Sequence, residues 1–263
     1  MMKSRPNSAV IRCFLDPDRD ASIARGRFDR LFATYLQHAR KWTASPAGEM
    51  ESMMTSGLAA ATLDLALRPP DEFTAWTLNI KDPPLNFFFC GDNAEFIITG
   101  RVFIRDVQTA DSSRLFVESQ RPKRKPTQSS VDVDGMDVLD IFGQFYDRSE
   151  QLPSRFHRLE NNEFALIKGL PQVNQDWLRS LDAKKSRDYL SQDFTQTDER
   201  IYRFRCGCNF KTILKVVRGM YKDNAEELFL GEDKVEVSCP RCGRHWWLSR
   251  KEFGVGPGRL GVS

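Results

Sequence analysis

The sequence predicts an α+β fold: a mostly antiparallel sheet domain with segregated helices, a helical polar linker, and a small C-terminal four-cysteine module. Three observations support this prediction. Two amphipathic helical segments precede a run of short strand-like segments, whereas a parallel α/β fold would alternate them. A polar segment then leads to two closely spaced cysteine pairs. Hydrophobic residues make up 40% of the 263 residues and include 19 Phe, which is enough to fill a core.

Two N-terminal helices are predicted from apolar residues that recur at helical spacing. Regular structure is predicted to begin with the first of them, Arg27–Trp42, whose apolar face consists of Phe28, Leu31, Phe32, Tyr35, Leu36 and Ala39. The second, Met50–Leu67, directs inward Met53, Met54, Leu58, Ala61 and Leu65. It ends before Pro69 and Pro70, because proline cannot continue a helix.

Five segments rich in aromatic and β-branched residues predict strands, because clusters of Pro, Gly and Asp separate them. They are Phe73–Ile80, Leu85–Cys90, Glu95–Arg105, Arg114–Ser119 and Ser129–Asp134. A further amphipathic helix is predicted over Asp137–Tyr146, and a closing strand over Glu163–Ile167. The core domain is therefore predicted to cover residues 8–171.

Residues 172–200 are predicted to form a metastable linker. Most of them are Asp, Lys, Arg, Ser or Gln, so helices can form here only if a neighbouring surface covers the few apolar side chains. Those side chains are Trp177, Leu178, Leu181, Tyr189, Leu190 and Phe194.

Residues 201–253 are predicted to form the cysteine module, followed by a flexible glycine-rich tail over residues 254–263. Strands are predicted to enter both cysteine pairs and to leave the second pair, with two short helices between the pairs. These elements are Ile201–Arg205, Phe210–Met220, Ala225–Leu230, Lys234–Val237 and Trp246–Leu248.

The cysteine pairs predict a metal site. Cys206 and Cys208 form a C-x-C, Cys239 and Cys242 form a C-x-x-C, and thirty residues separate the two pairs. Thiolates suit a tetrahedral Zn²⁺, and two short-spaced pairs can supply four ligands with little rearrangement of the chain. The sequence therefore predicts one Zn²⁺ bound by these four cysteines in the reduced protein.

Two hypotheses about these thiols stay open on spacing alone. A purely structural zinc ribbon is the simpler one. The C-x-C spacing, however, is unusual for a structural site, which hints that the thiols change redox state. A thioredoxin-like oxidoreductase would need the C-x-x-C at a strand-to-helix junction, whereas the flanking segments predict two strands. No other catalytic constellation or nucleotide-binding motif is found, so we predict no enzyme.

The composition narrows the class of protein. A formal charge of +3 is close to balanced, and the densest basic run, Arg121–Lys125, lies between prolines as a solvated connection between strands would. No stretch approaches the ~18 apolar residues of a membrane span, and Met1–Arg12 is too polar for a signal peptide. Six cysteines are too few for a secreted disulfide framework. We therefore expect a cytoplasmic protein in a reducing compartment, with no membrane partner.

A zinc-ribbon nucleic-acid-binding protein is the alternative prediction. Basic and aromatic residues interleave near the second pair, as they do in single-strand binders. These residues are Arg241, Arg244, Trp246, Trp247, Arg250 and Lys251. We favour the other interpretation, in which the tryptophans fill the core of a small zinc module.

The chain resembles the redox-regulated 33 kDa heat-shock chaperone family over roughly Val10 to Phe253. One similarity is Arg148–Arg155, which follows an aromatic-rich helix as in that family. The other is a polar linker leading to C-x-C, about thirty residues and C-x-x-C, in the family's order. The family's Gly-Asp-Gly-Pro-like turn is replaced here by Lys81–Pro84.

The resemblance implies an ATP-independent holdase for unfolding proteins under oxidative stress. In the family, oxidation of the zinc-bound cysteines releases zinc and unfolds the C-terminal region. It implies disulfides that join Cys206 to Cys208 and Cys239 to Cys242, and a homodimer in the oxidised form. Client contacts are expected from the linker residues Trp177, Leu178, Tyr189, Leu190 and Phe194.

Several residues near the pairs receive more modest predictions. Arg203, Arg205, Arg241 and Arg244 could offset the negative charge of four thiolates or could serve solubility alone. His245 is expected to hydrogen-bond beside the site, because four thiolates already complete a tetrahedral ion. Cys13 and Cys90 are expected to be buried thiols outside the switch, and His38 and His157 to lack an acid–base partner.

Overall fold

A ten-stranded sheet runs through the protein. The computed structural model describes residues 7–43, 46–104, 107, 111–222 and 224–254. Within these residues the sheet contains β1 (Ser8–Asp16), β2 (Ala21–Arg27), β3 (Phe73–Ile80), β4 (Leu85–Asp92), β5 (Ile97–Phe103), β6 (Arg114–Gln120), β7 (Thr127–Asp132), β8 (Ser154–Arg158), β9 (Glu163–Gly169) and β10 (Thr195–Phe204). A separate pair consists of β11 (Lys234–Ser238) and β12 (His245–Ser249).

The helices lie outside the sheet order. They are α1 (Asp29–Trp42), α2 (Glu49–Ala66), α3 (Val138–Phe145), α4 (Gln175–Arg179), α5 (Ala183–Leu190), α6 (Phe210–Met220), α7 (Ala225–Phe229) and α8 (Arg250–Phe253), and a π-helical turn over Tyr146–Glu150 follows α3. We call β1–β9 with α1–α3 the core, and residues 205–254 the cysteine module. No helix in the described parts of the chain is long and apolar enough to cross a membrane.

The sheet order is β7-β6-β3-β4-β5-β10-β1-β2-β9-β8. Neighbouring strands are antiparallel except β5 and β10, which pair in parallel only at Ile97 with Arg203 and Ile98 with Phe204. β10 pairs with β1 from Ser8 to Leu15. The strand that leads into the first cysteine pair is therefore the one that joins the two halves of the sheet. The predicted α+β architecture, mostly antiparallel and with segregated helices, is confirmed.

Helix α2 lies at the centre of the main hydrophobic core. Every residue from Met53 to Ala66 is buried, and the helix packs against β4, β5, β9 and α3. Gly57 allows α2 to lie directly against the Phe89 ring of β4, because a Cβ atom at this position would lie 2.1 Å from Cζ of Phe89. Large aromatic side chains fill the remaining space: Trp76, Phe87, Phe89, Phe142 and Phe156.

Polar side chains fix β10 to the end of α2. The Tyr202 hydroxyl donates to Oδ1 of Asn93 at 2.5 Å, and Nδ2 of Asn93 donates to the carbonyl of Leu65 at 2.8 Å. The Arg200 guanidinium donates to the carbonyl of Arg68 at 3.1 Å. Buried polar groups that are paired in this way hold two elements in one relative position.

The linker helices cover the opposite face of the sheet. On β9, Phe164 and Leu166 belong to the main core, while Ala165 and Ile167 face a second cluster, as alternation along a strand requires. That cluster also contains Ala21 and Ile23 of β2, together with linker side chains: Val173, Leu178, Leu181, Tyr189 and Leu190. The linker residues therefore use the sheet as the neighbouring surface that their composition requires.

Five elements differ from the sequence predictions: β1, β2, β8, α8 and β10. Within the described residues, regular structure begins with β1 and β2 and not at Arg27. In β1, Ala9, Ile11 and Cys13 are buried and alternate with the more exposed Val10 and Arg12, and β1 pairs with β2. β8 and α8 were not predicted, since both are short and polar. β10 begins at Thr195, six residues earlier than predicted and on the linker side of the boundary at residue 200. Its polar first half gives no strand pattern, and backbone pairing with β1 orders it.

The other predicted helices and strands agree with the structure to within a few residues at their ends. Arg121–Lys125 lies in the exposed connection between β6 and β7, as predicted. The division into domains stays a prediction. Of the predicted tail, residues 255–263 lie outside the described residues.

Candidate metal centre

Four cysteine sulfurs converge at one end of the sheet. The Sγ atoms of Cys206, Cys208, Cys239 and Cys242 all lie within 4.8 Å of one another. The Sγ atoms of Cys206 and Cys239 are 3.8 Å apart, and those of Cys208 and Cys242 are 3.7 Å apart. Zn–S bonds of about 2.3 Å in a tetrahedron place the sulfurs about 3.8 Å apart. The four sulfurs are thus positioned to hold a metal ion, and their spacing fits zinc.

The C-x-C half lies between a strand and a helix. β10 ends at Phe204, and residues 205–209, which include Cys206 and Cys208, have no regular secondary structure. Oδ1 of Asn209 caps α6 by accepting a hydrogen bond from the Thr212 amide at 3.0 Å. The position of this half is therefore set by the core sheet on one side and by the start of α6 on the other.

The C-x-x-C half is a tight turn between β11 and β12. The Cys239 amide donates to the carbonyl of Arg244, and the Gly243 amide donates to the carbonyl of Cys239, both at 2.8 Å. Gly243 has a φ of 75°, in the left-handed region that favours glycine. We call Cys239–Arg244 the knuckle. It joins two antiparallel strands, so the thioredoxin-like strand-to-helix arrangement is absent here.

The thiols influence one another's ionisation. Hydrogen bonding with Cys206 lowers the pKa of Cys239, while the same interaction raises the pKa of Cys206. Burial raises the pKa of Cys208. The cluster thus favours one thiolate and resists further ones, because like charges at this separation repel. A divalent cation bound at the centre of the cluster would favour all four thiolates together.

The cysteine module has a small hydrophobic core of its own. Ile213 and Val217 of α6 are buried together with Leu248 and with two of the four clustered cysteines, Cys239 and Cys242. Trp246 packs against this cluster, as predicted, but Trp247 is 61% exposed. Two of the clustered cysteines are therefore part of the hydrophobic core of the module.

The predicted basic and aromatic stripe is divided between different roles. Arg250 is 3% exposed, and it forms a two-pronged ion pair with Glu226. The Arg244 guanidinium lies over Trp42 and Trp246, with its central carbon 5.4 and 4.8 Å from the two ring centres. These contacts occupy groups that a single nucleic-acid strand would need, which weighs against the nucleic-acid-binding alternative.

Of the four arginines predicted to flank the cysteines, two contact aromatic rings. Arg241 lies over Phe73 at 5.1 Å from the ring centre, and Arg244 lies over the tryptophans. Arg203 donates to the carbonyl of Glu95 at 3.5 Å, while Arg205 lines a cavity beside the C-x-C. His245 does not belong to the group of residues that could hold a metal ion, which consists of the four cysteines. Its Nδ1 lies 3.0 Å from Glu236, and its Nε2 lies 3.2 Å from the carbonyl of Trp42.

Two side chains of the core reach the knuckle, and sequence analysis missed both roles. Nε2 of His38 in α1 lies 2.8 Å from the carbonyl oxygen of Cys242. Nη1 of Arg101 in β5 donates to the carbonyl of Cys239 at 3.1 Å. Burial lowers the pKa of both groups. These contacts span 204 and 138 residues of sequence, so no local pattern could reveal them.

The predicted client-binding residues lie together in the linker. Leu178, Tyr189 and Leu190 are buried on β2 and β9, and Trp177 and Phe194 are partly buried beside them. The ring of Tyr189 lies 5.2 Å from Trp177 and 5.0 Å from Phe194 between ring centres. In this state the linker side chains cover β2 and β9 and are themselves buried or partly buried.

The remaining cysteines and His157 lie elsewhere. Cys13 and Cys90 are buried, and burial raises their pKa to about 11 and about 12. His157 has a hydrogen-bond partner that its neighbours in sequence do not reveal, because its Nε2 lies 2.7 Å from Oγ of Ser186. The two residues are 29 positions apart, and Ser186 is fully buried between α5 and β8. This pair therefore belongs to the packing of the linker on the core.

Comparison with known proteins identifies a family. A family model described as Hsp33 protein matches residues 97–249, which is more than half of the chain. The 33 kDa chaperonin of Nitrosococcus oceani is 24% identical over 168 residues, covering 56% of this chain and 58% of that protein. The matched region thus spans less than two thirds of that relative.

A solved structure shares the fold. It is the crystal structure of the 33 kDa chaperonin, a heat shock protein 33 homologue, from Thermotoga maritima. The TM-score is 0.68 at 13% sequence identity, and the match covers 95% of this chain and 97% of that one. The similarity therefore extends over the core, the linker and the cysteine module together.

Proposed function

The chain belongs to the Hsp33 protein family, and from this premise we propose that it is a redox-regulated, ATP-independent chaperone. It would hold unfolding proteins during oxidative stress in the cytoplasm and would catalyse no reaction. The observation that carries the proposal is the cluster of four sulfurs at the spacing of a tetrahedral thiolate site. The cluster joins two cysteine pairs that lie far apart in sequence. Loss of the cluster would therefore disconnect both segments and affect the whole C-terminal region.

In the reduced protein, Cys206, Cys208, Cys239 and Cys242 would hold one Zn²⁺. A zinc ion held by these residues would cross-link the segment that follows β10 to the β11–β12 hairpin, and it would favour the thiolate form of all four cysteines. The knuckle orients two of the thiolates through its own turn hydrogen bonds. The small hydrophobic core of the module excludes water from Cys239 and Cys242, which are 2% and 1% exposed.

Oxidation would then remove the ligands. A peroxide takes two electrons from a pair of thiolates; one S–S bond forms, the O–O bond breaks, and two protons convert the peroxide oxygens to water. Two such steps would join Cys239 to Cys242 and Cys206 to Cys208. Disulfide sulfurs no longer bind the cation, so the cross-link between β10 and the hairpin is lost.

The consequence would spread from the module to the linker. The hydrophobic core of the module is too small to stay folded without the cross-link. Once β10 loses its anchor, the linker can leave β2 and β9, which exposes the second hydrophobic cluster. Trp177, Leu178, Tyr189, Leu190 and Phe194, together with the uncovered sheet, would bind apolar segments of unfolding clients and could pair two oxidised chains.

The experiment follows aggregation of a denatured client protein by light scattering. Protein purified under reducing conditions should contain about one zinc per chain and suppress aggregation weakly. After treatment with hydrogen peroxide it should lose zinc and suppress aggregation strongly, with no nucleotide added. The Cys239→Ser, Cys242→Ser double variant should bind no zinc and should not respond to peroxide. Zinc retained after full oxidation, with no change in suppression, would instead support a purely structural site.

A further inference from the structure

The knuckle is held from outside the module as well as by its own turn. His38 and Arg101 approach the carbonyl oxygens of Cys242 and Cys239, which belong to two of the four clustered residues. A carbonyl oxygen can only accept, so the proton in each contact comes from the core side chain. The core thus supplies two hydrogen bonds to the backbone that carries two of the sulfurs.

The shapes of the two surfaces also match closely at Gly243. A Cβ atom at this position would lie 2.3 Å from Cγ2 of Thr43, 3.4 Å from the carbonyl of Trp42 and 3.5 Å from Cζ of Arg101. Beside it, the Trp42 ring stacks on His245 with 6.2 Å between ring centres. The knuckle therefore sits directly against the C-terminal end of α1 and against β5.

Arg101 is placed unusually for an arginine. Its central carbon lies 4.1 Å from the ring centre of Phe103, and its Nε is buried without a hydrogen-bond partner. Among the described residues no carboxylate pairs with it within 4.0 Å, whereas most other buried or half-buried arginines have such a partner. A partly buried guanidinium without an anion is costly. Burial lowers the pKa of the Arg101 guanidinium, and the nearby Cys242 and Cys239 partly oppose that shift.

We propose that Arg101 and His38 form a clamp through which the core positions the C-x-x-C half of the centre and sets how readily the centre opens. Arg101 offsets the negative charge of four thiolates on a divalent ion, and both side chains fix the knuckle backbone. The inference rests on the proposed function. It adds that the redox threshold is controlled by core residues outside the cysteine module, and that the two halves of the centre are held differently.

The test is a set of substitutions in the full-length reduced protein. Arg101→Met keeps the length of the side chain and removes its charge and donors, Arg101→Lys keeps the charge, and His38→Phe keeps a ring and removes the donor. Arg114→Met is the matched control, because Arg114 is also a sheet arginine but pairs with Asp132, away from the module. Circular dichroism of each variant checks that the core remains folded.

Zinc transfer to a chromogenic chelator measures how readily the centre opens. Loss of a charge-assisted hydrogen bond should speed release by about tenfold or more in Arg101→Met and by a smaller factor in His38→Phe. Arg101→Lys should fall between Arg101→Met and the unmodified protein, and Arg114→Met should stay within about twofold of the unmodified protein. Release at the unmodified rate in both Arg101 variants, from protein that binds zinc, would overturn the clamp and leave the proposed function intact.

Hydrogen exchange of residues 239–244 supplies a readout that does not need zinc. In the reduced protein, Arg101→Met should increase exchange in the knuckle and leave β2 and β9 unchanged. Unchanged exchange in the knuckle would overturn the clamp. If the unmodified protein contained no zinc, the proposed function would fail, and the exchange result would still decide whether the core holds the knuckle.

Discussion

Two short sulfur–sulfur contacts join one cysteine pair to the other. The Sγ atoms of Cys206 and Cys239 are 3.8 Å apart, and those of Cys208 and Cys242 are 3.7 Å apart. These distances suit ligands of one ion, but a disulfide needs about 2.05 Å, so any bond requires movement. Which two sulfurs form a disulfide therefore depends more on the chain that connects them than on these distances.

We predict that oxidation links the cysteines within pairs, with Cys239 to Cys242 closing first. Two intervening residues permit relaxed disulfide geometry, whereas the single residue between Cys206 and Cys208 strains it. Peptide mapping of partly oxidised, alkylated protein measures the pairing. Cys13 and Cys90 serve as internal references, because both are buried and their raised pKa slows alkylation. A dominant bridge between pairs, such as Cys206 to Cys239, would contradict this scheme.

At the scale of single elements, α5 connects the linker to the core by three polar contacts. Ser186 bonds to His157 at 2.7 Å, the Tyr189 hydroxyl donates to Asp16 at 2.6 Å, and Arg25 donates to the carbonyl of Leu190 at 3.0 Å. The imidazole of His157 is a titratable group in these contacts. Burial, with a smaller contribution from Arg155, lowers its pKa to about 4 from an ordinary value of 6.5.

We predict that the His157 contact makes the protein less stable in mild acid. The unfolded chain binds a proton at His157 below pH ~6.5, but the folded chain resists it until pH ~4. Stability is therefore lost as pH falls through this window, by about 2 kcal/mol at pH 5. Urea unfolding at pH 7 and pH 5, followed by tryptophan fluorescence, measures the loss.

His157→Gln is the matched control for this prediction. Its side-chain amide can still bond to Ser186 but does not titrate. The unmodified protein should lose about 2 kcal/mol more than the variant between pH 7 and pH 5, because contributions from other groups cancel in the comparison. Equal losses in the two proteins would show that His157 does not titrate in this way.

The elements also show where sequence patterns suffice and where they do not. Helices α1, α2, α3 and α6 were predicted almost to the residue, because their apolar residues recur at a fixed spacing. The four clustered cysteines were found from spacing alone, since the ligands of each half lie close together in sequence. Both signals are local.

The rest depends on contacts between distant parts of the chain. The first half of β10 is polar and becomes a strand only because β1 lies beside it. His38 and Arg101 look like ordinary surface residues in sequence, and only the folded chain brings them to the knuckle. The partnership of His157 with Ser186 likewise requires α5 to fold back on β8.

At the scale of the whole molecule, β10 connects the metal centre to everything else. It lies between the two halves of the sheet, it is fixed to the end of α2 through Tyr202 and Arg200, and it leads directly to Cys206. Opening of the cysteine module therefore removes support from a central strand and not from a peripheral one. The pairing with β5 covers only two residues, so this seam is the weakest in the sheet.

Hydrogen exchange of the reduced and the fully oxidised protein, with and without a denatured client, is the decisive test of whether oxidation unfolds the linker and the cysteine module. We predict that residues 172–253, which include α4, α5, β10 and the cysteine module, lose protection from exchange on oxidation. Strands β3 and β4 and helix α2 should stay protected. A bound client should then restore protection in part of the uncovered sheet or linker. Equal protection of residues 172–253 in the reduced and oxidised protein would contradict the order-to-disorder switch, and the four cysteines would then form a purely structural site.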